Sequence, residues 1–154
     1  MVLSRLFIAY GLSGLFLISL ISSVIPIPTE PIVFALLRMG ENPEIVLVLL
    51  ITGSIIGASI GYLLGKYELR RIIPFHNKKK EEQMQIYFRK YGGVILLISP
   101  WIPIIGDLAP MVAGIENYES KKFLIVISIA KIIKSIAIIY LSMEAIEWWR
   151  FFIK

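Results

Sequence analysis

"LISSVIPIPTE", residues 20–30, places two prolines and a carboxylate inside what would otherwise read as an apolar helix. Residues 97–107, "LISPWIPIIGD", follow the same template: Leu-Ile-Ser, two variable residues, Ile-Pro-Ile, two variable residues, an acid. Leu20/Leu97, Ile21/Ile98, Ser22/Ser99, Ile25/Ile102, Pro26/Pro103 and Ile27/Ile104 are identical between the copies, and Glu30/Asp107 match in charge. The offset is 77 residues, half of the 154-residue chain. Thirteen residues after each acid, Pro43 and Ser120 stand where a helix should begin. Proline suits a first helical turn and serine an N-cap. A long apolar segment follows each. The pattern is that of an internal duplication.

The setting of these copies is apolar. Hydrophobic residues make up 57% of the chain, charged residues 18%, and the mean hydropathy is +0.79. Soluble domains average roughly 45–50% and about 25%. "IVLVLLITGSIIGASIGYLLG" (45–65) carries no charge, over about the 20 residues needed to cross a bilayer core. "FLIVISIAKIIKSIAIIYLSM" (123–143) is as long and holds two lysines. The chain reads as an integral, multi-pass protein of the cell membrane. Its net charge of +5 then fits the positive-inside rule and contact with anionic lipid, with no nucleic-acid partner. Absence of cysteine removes disulfides and thiolate chemistry. Arg5 and the apolar run after it imitate a signal peptide, but no small-x-small cleavage site follows, so this segment is read as retained.

Segment lengths predict the architecture. Before the second break the apolar stretch starts only at Gly92 or Gly93, leaving about ten residues, or roughly 15 Å of helix. "DLAPMVAG" after it is equally short. Two half-length pieces joined by a proline turn predict a re-entrant hairpin, which is tolerated at membrane depth only where protein or a water-filled cavity shields it. Pro26, Pro28, Pro103 and Gly106 mark the breaks. The alternative is one long kinked helix through 93–114. With one hairpin and one crossing per half, the halves enter from opposite faces. This gives an all-α membrane protein with an inverted-topology repeat, the hairpin tips meeting near the midplane. A single domain is expected: a first repeat over 1–66, a linker over 67–91 and a second repeat over 92–154. The linker is basic, and Met84, Tyr87, Phe88 and Tyr91 form a helical stripe, so an interfacial amphipathic helix is predicted there. With Lys121 and Lys122 it outweighs Arg5, Arg38, Arg150 and Lys154, which predicts a cytoplasmic linker and external termini.

Within this frame Glu30 and Asp107 are the first candidates for chemistry, because a carboxylate beside a break inside a membrane is costly. A plain capping role at the N-terminus of the next short helix is the structural alternative. Lys131 and Lys134 lie deep in the last span and share a face; they are candidates to neutralise the acids or to bind a headgroup phosphate. Trp101, beside the second tip, is a candidate to gate or line a site. Gly53, Gly57, Gly61 and Gly65 form a ridge for close helix packing, against a hairpin or a second protomer in a homodimer. Trp148, Trp149, Phe151 and Phe152 read as an aromatic belt. His76 stands alone in the linker. No metal cluster, cofactor motif, nucleophile elbow or phosphate loop is present, so nothing signals an enzyme.

On these residues the chain resembles the DedA (VTT-domain, SNARE-associated) membrane proteins, and most closely their short YqaA-type branch. The likeness rests on "IPIPTEPIVFALLRMG" with the Gly-rich span after it, on "FRKYGGVILLISPWIPIIGDLAPMVAG", and on a last span holding Lys131 and Lys134 and ending in "WW". The resemblance implies facing re-entrant hairpins and lipid translocation, either polyprenyl-phosphate recycling or phospholipid scrambling, with proton-motive-force maintenance also associated. Other branches carry Arg-Phe-x-Pro-x-x-Arg at the second hairpin. Here Pro100 and Gly106 stand at the arginine positions, so a phosphate would fall to Lys131 or Lys134.

Three functions are open to such a chain. The first is a lipid flippase or scramblase, proton-coupled through Glu30 and Asp107. The second is a non-transporting membrane scaffold or assembly factor. The third is a small ion or solute carrier.

Overall fold

The computed structural model describes residues 10–22, 27–69, 78–102 and 105–153, the side chains of 68–69, 78–85, 87, 105–107 and 153 excepted. Pro26, Pro103, His76, Arg5 and Lys154 lie outside the described residues. All regular structure among the described residues is helical: α1 (Gly11–Ser22), α2 (Glu30–Arg38), α3 (Pro43–Leu64) continued by a π turn (Gly65–Leu69), α4 (Lys78–Ile98) continued by a 3-10 turn (Ser99–Trp101), α5 (Ile105–Ile115) and α6 (Ser120–Ile153). Two helices, Pro43–Tyr67 and Ser120–Phe152, are long and apolar enough to cross a membrane. By contrast α1, α2 and α5 have 12, 9 and 11 residues. At 1.5 Å per residue they reach about 18, 14 and 17 Å, short of the roughly 30 Å core.

The second break is real at the backbone. Ile102 is extended (φ −96°, ψ 114°), so no continuous helix runs through this motif. One boundary differs from the sequence reading. Gly92 and Gly93 do not start a new segment; α4 passes through them from Lys78 to Ile98, joining the basic linker helix to the first arm of the motif. Packing explains it. Gly92 lies under the rings of Phe88 and Tyr118, where a Cβ would come within 2.7 Å of Phe88. That close cover offsets the weak helical preference of glycine.

Local hydrogen bonds recur with the sequence offset. At the end of α2, Gly40 (φ 94°) donates its N–H to the Leu37 carbonyl (3.1 Å), and Glu41 to that of Leu36 (3.1 Å). At the end of α5, Asn117 (φ 54°) donates to Gly114 (3.0 Å), and Tyr118 to Ala113 (2.9 Å). Both are left-handed caps of the Schellman type, and every atom pair is displaced by 77 residues. The same shift relates Ser22 Oγ donating to the Ser19 carbonyl (3.2 Å) to Ser99 Oγ donating to that of Leu96 (3.1 Å). The next helices then begin at Pro43 and Ser120. Asn42 caps α3, its side chain accepting from the Glu44 N–H at 2.9 Å. Ser120 is itself the first helical residue, one place beyond the N-cap position expected of it, and the Glu119 carbonyl accepts from Phe123 N–H.

Helix packing is led by α1 along α3 and α5 along the far end of α3, while α2 and α4 both pack on α6, and α3 touches α6 directly. Close approach is set by glycines. A Cβ on Gly57 would fall on the Leu20 carbonyl of α1, one on Gly65 on the Met111 carbonyl of α5, and one on Gly114 on the Tyr62 carbonyl. The ridge of α3 thus serves α1 at Gly53 and Gly57 and α5 at Gly65, within the same chain; Gly61 is buried. Tyr62 fixes the end where α3 finishes and α6 starts. Its hydroxyl donates to the Tyr118 carbonyl, shares a hydrogen bond with Ser120 Oγ (3.0 Å), and its ring stacks on Phe123 (centroids 4.4 Å apart). At the opposite end Arg38 of α2 sits 5.6 Å over the Trp149 ring of α6. Phe88 of the expected interfacial stripe is buried in this protein, edge-on to Tyr118.

Candidate functional site

A cavity of about 450 Å³ lies where the two breaks, α1, α3 and α6 meet. The volume is in the range of small-molecule sites. Pro28, Thr29 and Glu30 of the first motif face Pro100, Trp101 and Ile102 of the second across it, with Lys131, Lys134 and Ser135 of α6 on the third side and Ser19, Ser22 and Ser54 opposite.

The residues arrive there for local reasons. Glu30 is the first residue of α2, followed by Pro31. Proline is pre-set for a first turn and the free N–H groups there favour an anion. No side-chain cap bond is made at Thr29, so the Glu30 carboxylate is available to another partner. That partner is Lys134: Nζ to Oε1 is 3.4 Å, with the lysine side chain 22% and the glutamate 47% exposed. Lys131, one turn before, is 4% exposed and engaged with a partner rather than free. An exposed glutamate with a mostly buried lysine describes a charge pair at the mouth of a cleft. Two cations on one face of a membrane helix are costly unless water, an anion or the pair itself compensates them.

The charge of the site comes from one half only. At the 77-residue offset, Ser54 and Gly57 of α3 correspond to Lys131 and Lys134 of α6. On α3 the small residues let α1 descend to backbone contact. On α6 two long cationic side chains occupy that place, and the space stays open.

Other expected site residues are placed as follows. Trp101, half-exposed at 52%, lines the cavity from the 3-10 turn. Gly106 and Asp107 fall in the first turn of α5 by backbone; the Asp107 side chain lies outside the described residues, so its approach to either lysine is not part of this geometry. The hydroxyl lining escaped the sequence reading. Ser22 belongs to the repeated motif and Ser135 follows Lys134, but a lone serine carries no signal of its own. Ser19 and Ser22 donate to the carbonyls of Leu15 (2.7 Å) and Ser19 (3.2 Å). This satisfies the hydroxyl protons inside their own helix and leaves the oxygen lone pairs as the groups offered to the cavity. Among the described residues, no cluster of His, Cys, Asp or Glu suits a metal ion.

Fold and site together define a helical membrane protein with a charged cavity at two helix breaks. Its family is shown by comparison: the VTT domain matches residues 27–144, spanning both motifs and both long helices, and the chain belongs to this family. It is 28% identical to Inner membrane protein YqaA of Escherichia coli K12 over 144 residues, 92% of this chain and 97% of that protein. An uncharacterized protein of Haemophilus influenzae is 28% identical over 127 residues, 79% of this chain and 80% of its own. Protein DedA of Escherichia coli K12 is 23% identical over 87 residues, 53% of this chain and 40% of that protein. No solved structure matches.

Proposed function

We propose that this protein is a transporter that moves a lipid with an anionic headgroup across the membrane, the headgroup entering the cavity at Lys131 and Lys134. The observation that carries the reading is the convergence of both helix breaks and two lysines on one 450 Å³ cavity. A headgroup phosphate would exchange with Glu30 for Lys134, so the carboxylate acts as a resident counter-ion when the site is empty. Proton coupling follows if Glu30, and Asp107 at the equivalent position, release the lysines on protonation. Two inverted repeats would supply the alternation. Support for them is the recurrence of caps at 77 residues and a packing pattern that survives exchange of the halves: α1 on α3 becomes α4 on α6, and α5 on α3 becomes α2 on α6. The scaffold reading loses its main surface, because the glycine ridge is occupied by α1 and α5.

The test is reconstitution in liposomes with fluorescent lipids of several headgroups. Faster movement of anionic than of zwitterionic lipids supports the reading; no movement of any lipid removes it.

A further inference from the structure

Behind the break at 99–102 lies a second concavity of about 460 Å³, between α4 and α5, lined by Val94, Ile95, Ile98, Ile102, Leu108 and Val112 over a floor that includes Ala109 and Ser99. Its lining has one hydroxyl, and Ser99 Oγ is already committed to the Leu96 carbonyl. Nothing polar is therefore offered to an occupant, which excludes a headgroup or a hydrophilic solute on chemical grounds. Ile102 lines both this groove and the charged cavity. The 3-10 turn and the extended Ile102 thus form a lip with lysines on one side and pure hydrocarbon on the other.

We propose that the groove between α4 and α5 is the tail subsite of the transported lipid: one hydrocarbon chain lies in it while the headgroup occupies the cavity across the lip. The inference rests on the headgroup reading above and adds where the chain goes. The occupant follows from position. An amphiphile bound at Lys131 and Lys134 has its apolar part leaving beside Pro100–Ile102, and the concavity next along that wall is this one. Annular lipid would cover the groove no differently from the outer face of α6, where Ile125, Ile129 and Ile133 are equally exposed.

A phosphatidylglycerol with a diazirine near its tail terminus, photolysed in liposomes holding the full chain, distinguishes the two. Labelling concentrated on Val94, Ile98, Leu108 and Val112 is expected, reduced about tenfold by Val112→Trp or Leu108→Trp. Both positions are lipid-exposed, so the fold should tolerate them. Binding of glycerol phosphate, which has no tail, should be unchanged in either variant. Label spread evenly over α6 and the groove, or a pattern indifferent to both tryptophans, overturns the tail subsite. Groove labelling that persists while glycerol phosphate fails to bind the unaltered protein would support the groove and reject the headgroup cavity instead.

Discussion

Lys134 Nζ stands 3.4 Å from Glu30 Oε1, joining the deepest charged stretch of α6 to the first turn of α2, a helix that begins at a proline break. The pair is partly exposed, so its contribution to stability is small, about 0.2–1 kcal/mol. Its importance is positional: it sets a replaceable counter-ion beside Lys131. In a double-mutant cycle Glu30→Gln and Lys134→Gln should each lower unfolding free energy by no more than about 1 kcal/mol while coupling strongly in lipid-translocation rate. Denaturant titration in detergent and liposome assays measure the two quantities separately.

Close packing makes a sharper stability prediction. Gly57→Ala puts a Cβ on the Leu20 carbonyl, and Gly114→Ala puts one on that of Tyr62. Backbone cannot yield as a flexible side chain does, so each should cost about 1–3 kcal/mol. Gly93→Ala, with only Tyr118 Oη at 3.6 Å, should be neutral or stabilising, as expected for a glycine in a helix interior. Thermal unfolding of the three variants checks the order.

The caps can be tested as a pair. Gly40 has open space around it but φ of +94°, so Gly40→Ala should cost about 1–2 kcal/mol through backbone alone. Asn117 holds the equivalent left-handed cap, where Asn117→Gly should lose little and Asn117→Val should lose as much as Gly40→Ala. Unfolding midpoints at constant slope measure this.

Tyr62→Phe removes the hydroxyl that joins the Tyr118 carbonyl and Ser120 Oγ at a buried position. A loss of about 1–3 kcal/mol is expected from the unsatisfied partners. Tyr140→Phe, exposed at 63%, should stay within about 0.5 kcal/mol.

Orientation is a separate matter. Lys66, Lys121 and Lys122 gather where α3 ends and α6 begins, while Arg38 and Arg150 lie with Trp149 at the other end. The charge bias predicts the lysine end to be cytoplasmic. Cysteines at Lys122 and Arg150 should be labelled by an impermeant maleimide only from inside and only from outside, respectively; the reverse pattern inverts the topology.

Much of this was legible because the duplication is written in side chains. Pro26/Pro103, Ser22/Ser99 and the acids mark the breaks, and helix lengths then follow from apolar runs. Other features depend on partners far away in sequence. Gly92–Gly93 reads as punctuation, and only Phe88 and Tyr118 closing over it reveal a continuous α4. Asn117 shows no glycine signal, yet it caps α5 as Gly40 caps α2. Which lysine meets Glu30 is equally a matter of helix packing: i, i+3 spacing places Lys131 and Lys134 on one face, and the seat of α2 on α6 decides that Lys134 takes the carboxylate. The cavity hydroxyls become visible only when α1, α3 and α6 converge.

The central claim is that the α6 lysines hold an anionic headgroup during transport. Its most direct test is the transbilayer rate of a fluorescent phosphatidylglycerol in liposomes containing the Lys131→Gln/Lys134→Gln variant, with folding verified by its melting curve. The account predicts a loss of at least about tenfold, one 1.4 kcal/mol step in barrier height, with no comparable change for Lys122→Gln at the start of the same helix. A folded double variant that moves this lipid at the unaltered protein's rate would contradict it.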